Sequence, residues 1–327
     1  MTITEFLAQW RDDQPTVPVF TSGSTGKPKL MMAEKARMEA SARMTCQALG
    51  LHPGNKALVC LPMDYIAGKM MVVRSLVCQL QMVSIEPQGH PMTAIADDEV
   101  IDFVAMVPMQ VFNSLSNETE LRRLKAIKNI LIGGGAIDKE LELQLRQFPH
   151  AVWSSYGMTE TLSHIALRKI NGGNADDNLW YRPLPGVGIT LDANDCLVID
   201  APAVCPTVLH THDIAVVDRS QGYVRFKIVG RIDNVVCSGG VKIQIEEVEQ
   251  ALKSILSQPF AITSLPDPKL GERIVLLYTG KALAPEKLDI LPKYQRPKAI
   301  LYTQAIPLTE TGKINRPACR SLAAQLQ

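Results

Sequence analysis

The sequence predicts an α/β protein with a large N-terminal domain and a small C-terminal α+β domain. Short apolar runs alternate with helix-forming stretches over the first half of the chain, which indicates a parallel sheet wrapped by helices. From about residue 184 the apolar runs are separated by Asp, Asn, Gly and Pro, which is typical of antiparallel strands. From about residue 234 a last region has its own helix and strands. A chain of 327 residues is long enough for two such domains.

Each element is predicted from residue type and periodicity. Apolar runs between polar residues predict strands in the large domain at 17–20, 57–61, 82–85, 103–107 and 129–132. Helix-forming composition predicts helices at 30–48, 66–80 and 116–128. Shorter runs predict antiparallel strands at 189–191, 196–199, 214–217 and 223–228. The last region has a predicted helix at 245–256 and predicted strands at 274–278 and 299–302.

The composition indicates a cytoplasmic protein without a strongly charged partner. The formal net charge is +1, so we expect no electrostatic attraction to nucleic acid or to acidic membranes. The seven cysteines include no C-x-x-C pair and are odd in number, which favours reduced thiols that serve in packing. The N-terminus does not have the pattern of a signal peptide, and no apolar run has the length of a membrane span.

A loop of small residues and lysines follows the first predicted strand. It consists of Thr21, Ser22, Gly23, Ser24, Thr25, Gly26, Lys27, Pro28 and Lys29. Such residues let backbone N–H groups, hydroxyls and ammonium groups surround phosphate oxygens. Its spacing differs from the Walker loop, which has four residues between its first glycine and Gly-Lys. The helix predicted directly after the loop would direct its N-terminal amides at the anion. On these residues alone, a surface turn is the alternative.

Further segments carry polar residues suited to nucleotide chemistry. The glycine run 133–136 would let a flat ring approach the backbone, although a simple turn is the alternative. Segment 155–161 offers an aromatic ring, a hydroxyl and a carboxylate suited to Mg²⁺. Asp213 could accept the hydroxyls of a ribose, and segment 230–233 adds an arginine at the predicted joint between the domains. Segment 307–316 places one lysine in a tight turn.

In this order, the segments resemble the motifs of the adenylate-forming superfamily, which comprises acyl- and aryl-CoA synthetases, adenylation domains of nonribosomal peptide synthetases, and luciferases. The resemblance rests on T-S-G-S-T-G-K-P-K, Y-G-M-T-E, G-R-x-D and T-G-K-I-x-R, and it runs from Phe20 to Arg316. It implies the adenylate-forming enzyme fold, with a large domain at 1–231, a hinge at 232–235 and a small mobile domain at 236–327. Because the phosphate loop begins close to Met1, the large domain is expected to be shortened at its N-terminus.

The resemblance also implies roles for single residues, carried over position by position. In the nucleotide site, the loop 21–29 would hold the β- and γ-phosphates, and Gly134, Gly135 and Ala136 would line the adenine and acyl pocket. Tyr156 would pack on adenine, Gly157 would also bind the nucleotide, and Asp213 and Arg231 would bind the ribose. Those assigned to chemistry and motion are Thr159 for the α-phosphate, Glu160 for Mg²⁺, Lys313 for bridging α-phosphate and attacking carboxylate, and Asp233 for the hinge. Gly239, Gly240 and Lys242 would face CoA, with a solvated surface charge as the alternative for Lys242.

The implied reaction has two steps and uses ATP, Mg²⁺ and CoA. A carboxylate attacks the α-phosphorus of ATP, which gives an acyl-adenylate and pyrophosphate, and the thiol of CoA then attacks the adenylate. Negative charge accumulates on phosphate oxygens, so preorganised cations and amide donors are the expected catalytic device.

Two segments indicate which acid is activated: residues 163–168, and residues 61–69 together with the following Arg74. Residues 163–168, which follow Y-G-M-T-E-T, resemble the o-succinylbenzoate–CoA ligases of menaquinone biosynthesis. This acid has a second carboxylate, which requires a buried cation; Arg74 is the first candidate and Lys69 the second. A surface arginine is the alternative for Arg74. His164 is expected to line the aryl pocket, with a structural histidine as the alternative.

The acyl pocket departs from the family at one position. Most members have an aromatic residue and a histidine where Asp64 and Tyr65 stand, so Tyr65 is expected to replace that histidine.

Other functions remain open at this point. They are a CoA ligase for another aryl or short acyl acid, an adenylation domain that feeds a carrier protein, and a non-catalytic nucleotide-binding protein of the same fold. A homodimer is expected if a partner covers apolar surface that the shortened domain exposes.

Overall fold

The computed structural model describes residues 1–20, 30–309 and 312–327. The predicted phosphate loop, residues 21–29, therefore lies outside the described residues. By its internal contacts the chain divides into two units. The first comprises residues 1–190, 198–209 and 217–227, and the second comprises 191–197, 210–216 and 228–327. The predicted domain boundaries and the hinge at 232–235 stay predictions.

The first unit is built on helices and short strands that alternate along the chain. Its helices are α1 (Ile3–Arg11), α2 (Lys35–Leu49), α3 (Ile66–Val77), α4 (Pro108–Leu115), α5 (Glu118–Ala126) and α6 (Lys139–Leu145). Its strands are β1 (Thr16–Phe20), β2 (Leu30–Glu34), β3 (Lys56–Val59), β4 (Gln81–Ser84), β5 (Phe103–Met106), β6 (Asn129–Ile132), β7 (Ala151–Gly157), β8 (His164–Lys169) and β9 (Arg182–Pro183).

A seven-stranded sheet organises this unit, in the order β4-β3-β5-β6-β7-β8-β9. Strands β3 to β7 are parallel to one another, whereas β8 pairs antiparallel with both β7 and β9. Helices cover both faces, as the alternation of side chains along β5 shows. Phe103 and Ala105 join an apolar cluster with residues of α2 and α3, while Val104 and Met106 join a cluster with residues of α4, α5 and α6. The α/β fold class is therefore confirmed.

The helix predicted at 30–48 is wrong over its first five residues. Leu30–Glu34 forms β2, which pairs antiparallel with β1 from Phe20↔Leu30 to Thr16↔Glu34, and α2 begins only at Lys35. Good helix formers were overridden because the hairpin pairs these backbone groups and buries Ala33 against the core. The residues that follow the predicted phosphate loop, Leu30–Glu34, are therefore a strand and not the start of a helix.

A four-stranded sheet in the order β10-β11-β12-β13 contributes residues to both units. Its strands are β10 (Gly188–Leu191), β11 (Cys196–Asp200), β12 (Leu209–Asp218) and β13 (Arg225–Arg231). The short strands predicted in this region are therefore present, with longer boundaries for β12.

The second unit contains a five-stranded sheet with one helix on each face. Its elements are β14 (Val235–Ser238), β15 (Val241–Gln244), α7 (Ile245–Leu252), β16 (Phe260–Asp267), β17 (Gly271–Tyr278), β18 (Ala299–Tyr302) and α8 (Arg316–Gln325). The strand order is β15-β14-β17-β16, and β18 pairs parallel with β17. Alternate side chains of β17 pack into one cluster with α7 and another with α8.

Within the described part of the chain, none of the helices combines the length and the apolar character that crossing a membrane requires.

Candidate active site

Parallel strands bring two of the predicted motifs to the same edge of the large sheet. The glycine run follows β6, and its Gly133 N–H donates to the Met106 carbonyl at the end of β5 (3.0 Å). The Y-G-M-T-E segment begins in β7, where the Ser155 hydroxyl donates to the Ile132 carbonyl at the end of β6 (3.1 Å). Ligands of open α/β sheets bind outside the carboxyl ends of the strands. This edge is therefore the natural place for a nucleotide.

Glycine is required in both motifs for different reasons. Gly134 has φ +79°, a left-handed conformation that side chains disfavour, and Gly134, Gly135 and Ala136 are all exposed. At Gly157, a Cβ would overlap the backbone carbonyl of Ser163. The backbone of β7 and the start of β8 can therefore approach closely only without a side chain at residue 157.

The ring of Tyr156 is held by two aromatic neighbours in the same unit. Its centroid lies 5.3 Å from that of Phe226, edge-on at 80°, and 5.9 Å from that of Tyr181. Such pairs stabilise an aromatic ring beyond simple burial. Tyr181 and Phe226 were not predicted from the sequence, because neither belongs to a motif. The packing of Tyr156 on adenine and the assignment of Gly157 to nucleotide binding stay predictions.

Thr159 and Glu160 lie in a short 3₁₀ turn, residues 159–161, directly after β7. Buried Thr161 fixes this turn, because its hydroxyl accepts from the Met158 N–H (3.1 Å) and donates to the Ser163 carbonyl (2.7 Å). The Glu160 side chain is exposed. Mg²⁺ is commonly held by one or two carboxylates together with substrate phosphates, so one exposed Glu160 fits that use. Among the described residues, no group of three His, Cys, Asp or Glu side chains is arranged to hold a metal.

Arg74 is one of the most deeply buried side chains, with 2% of its surface exposed. Its Nη2 donates to the Ser163 hydroxyl and its Nη1 contacts the Met71 sulfur at 3.6 Å, while its Nε has no hydrogen-bond partner within the described residues. Burial lowers its pKa to about 10, so the guanidinium still carries its charge at neutral pH. Arg74 is therefore not the surface arginine that sequence left as an alternative.

His164 is buried beside Arg74. Its Nδ1 lies 3.2 Å from the Ser163 hydroxyl and its Nε2 lies 3.2 Å from the Thr45 hydroxyl. Burial and the charge of Arg74 lower the pKa of His164 well below its ordinary value, so the ring is neutral near pH 7. Ser163 and Thr45 were not predicted as site residues. Thr45 lies outside every motif, and Ser163 begins the segment 163–168 but was given no role of its own.

Tyr65 and Lys69 lie at the start of the same helix, α3. The Lys69 ammonium is buried and donates to the Met63 carbonyl at 2.5 Å. Burial lowers the pKa of Lys69, partly opposed by the charge of Asp64. Tyr65 is the N-cap residue and is 37% exposed. The roles of both residues in binding the acid stay predictions.

In the second unit, Arg231 forms ion pairs with two aspartates. Its Nη1 lies 2.8 Å from Asp213 and its Nη2 lies 2.9 Å from Asp233, which also pairs with His212 Nδ1 at 2.9 Å. Burial raises the pKa of Asp233, but the hydrogen bonds from His212 and Arg231 outweigh burial and lower it. The predicted ribose-binding pair and the predicted hinge residue are thus joined by one charged network, which His212 extends.

Lys313 lies in the turn that sequence predicted. The Thr309 N–H donates to the Lys313 carbonyl (2.7 Å), and Gly312 has φ +77°. Although the Lys313 side chain is exposed at its surface, surrounding protein atoms and the charge of Arg231 lower its pKa, while Asp213 raises it. The second unit therefore brings Lys313, Arg231 and Asp213 within electrostatic reach of one another.

The proposed CoA-facing residues form a tight hairpin between β14 and β15. Gly239 and Gly240 have φ of +58° and +81°, as a two-residue hairpin turn requires. Lys242 in β15 is exposed, which fits either contact with CoA or a solvated charge.

Residues 5–210 match the family model described as AMP-binding enzyme. A 2–succinylbenzoate–CoA ligase of Lactococcus lactis is 24% identical over 330 residues, which cover 94% of this chain and 71% of that protein. The first four curated relatives all carry that description, and the chain spans between 59% and 71% of their lengths.

Solved structures give the same fold. The acyl-CoA synthetase (AMP-forming)/AMP-acid ligase II-like protein of Dyadobacter fermentans is 34% identical with a TM-score of 0.66, and the match covers 99% of this chain and 93% of that one. The o-succinylbenzoate coenzyme A synthetase of Bacillus subtilis in complex with ATP and magnesium ion is 21% identical with a TM-score of 0.75, covering 92% of this chain and 68% of that one.

Proposed function

The chain belongs to the AMP-binding enzyme family, which confirms the adenylate-forming class predicted from its motifs, and we propose that it joins o-succinylbenzoate to CoA. The reaction passes through an acyl-adenylate and yields o-succinylbenzoyl-CoA, AMP and pyrophosphate. ATP, Mg²⁺ and CoA are the cofactor and co-substrates that the family and its named ligase relatives support. The cytoplasmic location and the homodimer stay predictions.

The proposed acid rests on one observation, the buried positive charge of Arg74. Among the described residues, no carboxylate pairs with its guanidinium. The groups whose negative charge would raise the pKa of Arg74 are the thiols of Cys46 and Cys78, and burial raises the pKa of Cys46 so that this thiol stays protonated. A buried cation without an anion is costly, and the second carboxylate of a dicarboxylic acid would compensate it.

In the first step, the acid's other carboxylate attacks the α-phosphorus. In our proposal Lys313 holds the attacking carboxylate and the α-phosphate together, and Thr159 donates to the same phosphate. Asp213 and Arg231 hold the ribose. These groups stabilise charge that grows on phosphate oxygens, which is the usual device of phosphoryl and nucleotidyl transfer.

The experiment is pyrophosphate release with ATP, Mg²⁺ and CoA over a panel of acids. We expect release with o-succinylbenzoate to exceed release with benzoate or a short fatty acid. Preferential use of a monocarboxylic acid would keep the reaction class and overturn the proposed substrate. No release with any acid, from protein shown to bind ATP, would favour the non-catalytic alternative.

A further inference from the structure

A continuous chain of hydrogen bonds begins at Arg74 Nη2, whereas Arg74 Nε has no hydrogen-bond partner among the described residues. Arg74 Nη2 contacts the Ser163 hydroxyl, which contacts His164 Nδ1 at 3.2 Å. His164 Nε2 contacts the Thr45 hydroxyl at 3.2 Å, and that hydroxyl donates to the Ser41 carbonyl at 3.0 Å. The chain links α3, β8 and α2 through side chains that are all buried or partly buried.

The donor and the acceptor in each of these hydrogen bonds follow from the number of protons that each group carries. Thr45 has one hydroxyl proton and gives it to the Ser41 carbonyl, so its oxygen can only accept from His164 Nε2. A neutral imidazole carries one proton, and with that proton on Nε2 its Nδ1 must accept from the Ser163 hydroxyl. The Ser163 oxygen is then left as an acceptor for Arg74, which can only donate.

We propose that Ser163, His164 and Thr45 are positioning residues that fix the orientation of the Arg74 guanidinium and so determine selectivity for a dicarboxylic acid. This inference rests on the proposed function and replaces the expectation that His164 lines the aryl pocket. A guanidinium is a planar fork, and fixing one end directs the remaining N–H groups. A neutral His164 supplies that fixation without adding a second positive charge beside the first.

The backbone conformation next to Ser163 also supports a positioning role for this segment. Leu162, directly before Ser163, has φ +63°, which is uncommon for a residue with a side chain. Such strain persists only where surrounding contacts hold it, and it gathers at functional sites. The strained residue Leu162 lies between the exposed Glu160 and the buried His164, which are four residues apart.

The first test reads the tautomer of His164 directly, without any substrate. Nitrogen-15 NMR of ring-labelled wild-type protein should show the neutral ring protonated on Nε2 at pH 7. Protonation on Nδ1, or a charged ring at that pH, would overturn the proposal. Because no variant is needed, this result does not depend on whether a substituted protein folds.

The second test separates orientation of Arg74 from general packing. With o-succinylbenzoate, Ser163→Ala should raise KM about 10- to 100-fold with little change in kcat, the range expected for one hydrogen bond to a charged group. Thr45→Val should raise KM by a smaller factor, and Thr45→Ser should restore it.

A double variant shows whether Ser163 orients Arg74 or only contributes to packing. In an Arg74→Met background, Ser163→Ala should change KM less than twofold, since the group that it orients is gone. An equal KM factor in both backgrounds would mean that Ser163 acts by packing and would contradict the inference. If the wild type uses no dicarboxylic acid, the proposed substrate fails, whereas the tautomer measurement still decides whether the chain is arranged as described.

Discussion

At the scale of single residues, Arg231 and Arg74 differ in how the protein compensates their positive charges. Arg231 lies between two aspartates and is 36% exposed at its side chain, so its charge is compensated within the protein. Arg74 is buried and is held by a hydroxyl and a sulfur atom. A compensated arginine can serve a neutral ribose, whereas an uncompensated one suits an anionic group.

Lys313 gives the first prediction. Lys313→Ala should lower the rate of acyl-adenylate formation by about 100- to 1000-fold, since removal of one group that stabilises transition-state charge costs about 3–4 kcal/mol. Thioester formation from a supplied adenylate should continue. Pyrophosphate exchange and CoA thioester formation measure the two half-reactions, and equal loss of both would remove the role given to Lys313.

His164 gives a prediction on pH. Its folded pKa is depressed, so its contribution to stability is complete above the unfolded pKa of about 6.5 and is lost as the pH falls below it. The free energy of unfolding should therefore decrease between pH 6.5 and pH 4.5 by at most about 1.4 kcal/mol per pH unit from this residue. Urea titrations at several pH values measure it. The slope should flatten in His164→Asn, and an unchanged slope there would contradict it.

At the scale of elements, one arginine joins the parts of the second unit. Arg316, at the start of α8, donates to both carboxylate oxygens of Glu249 in α7 (2.6 and 2.7 Å) and to the Ile262 carbonyl in β16 (3.1 Å). The same carboxylate accepts from the Ile262 N–H at 2.9 Å. The last residue of the T-G-K-I-x-R segment thus has a structural explanation within its own unit.

This contact predicts a stability effect with a matched control. Arg316→Ala should lower the free energy of unfolding by about 3–5 kcal/mol, because it leaves the largely buried Glu249 carboxylate without its cation. Arg320→Ala, four residues later, removes a more exposed pair with Glu272 and should cost no more than about 1 kcal/mol. Chemical denaturation measures both, and similar losses would contradict the special role of Arg316.

Elements with strong periodicity could be predicted from the sequence, and those set by pairing could not. Strand β6 at 129–132 and strand β18 at 299–302 have the predicted bounds, because each is a short run of mostly apolar residues. The large sheet buries β6, whereas β18 is only partly buried. Strand β2 was predicted as helix, since its residues are good helix formers and only pairing with β1 makes them a strand. Helix α8, which buries only Cys319 and Ala323 among its residues, was not predicted.

At the scale of the whole molecule, the motifs predicted the family and the order of the site segments. They could not predict that Ser163 approaches Arg74 and that Thr45 approaches His164, since three elements distant in sequence meet there. Nor could they predict the pairing of His212 with Asp233. A hydroxyl or a histidine acquires such a role from packing, which periodicity does not encode.

The expected homodimer is tested at this scale. The outer side of the β1–β2 hairpin exposes Phe20, Leu30 and Met32, each at least half exposed. Sedimentation velocity at micromolar concentration should show a dimer if this or another apolar surface is covered by a second copy. A monomer over the whole concentration range would contradict the expectation.

The central claim is that buried Arg74 recognises the second carboxylate of the acid. The most direct test compares kcat/KM for o-succinylbenzoate and for benzoate in wild type, in Arg74→Met and in the surface control Arg43→Met. In Arg74→Met the preference for the dicarboxylic acid should fall about 100-fold or more, the equivalent of about 3 kcal/mol for a buried charge left unpaired. Activity with benzoate should persist, and the control should match the wild type. An unchanged preference in Arg74→Met would contradict the claim.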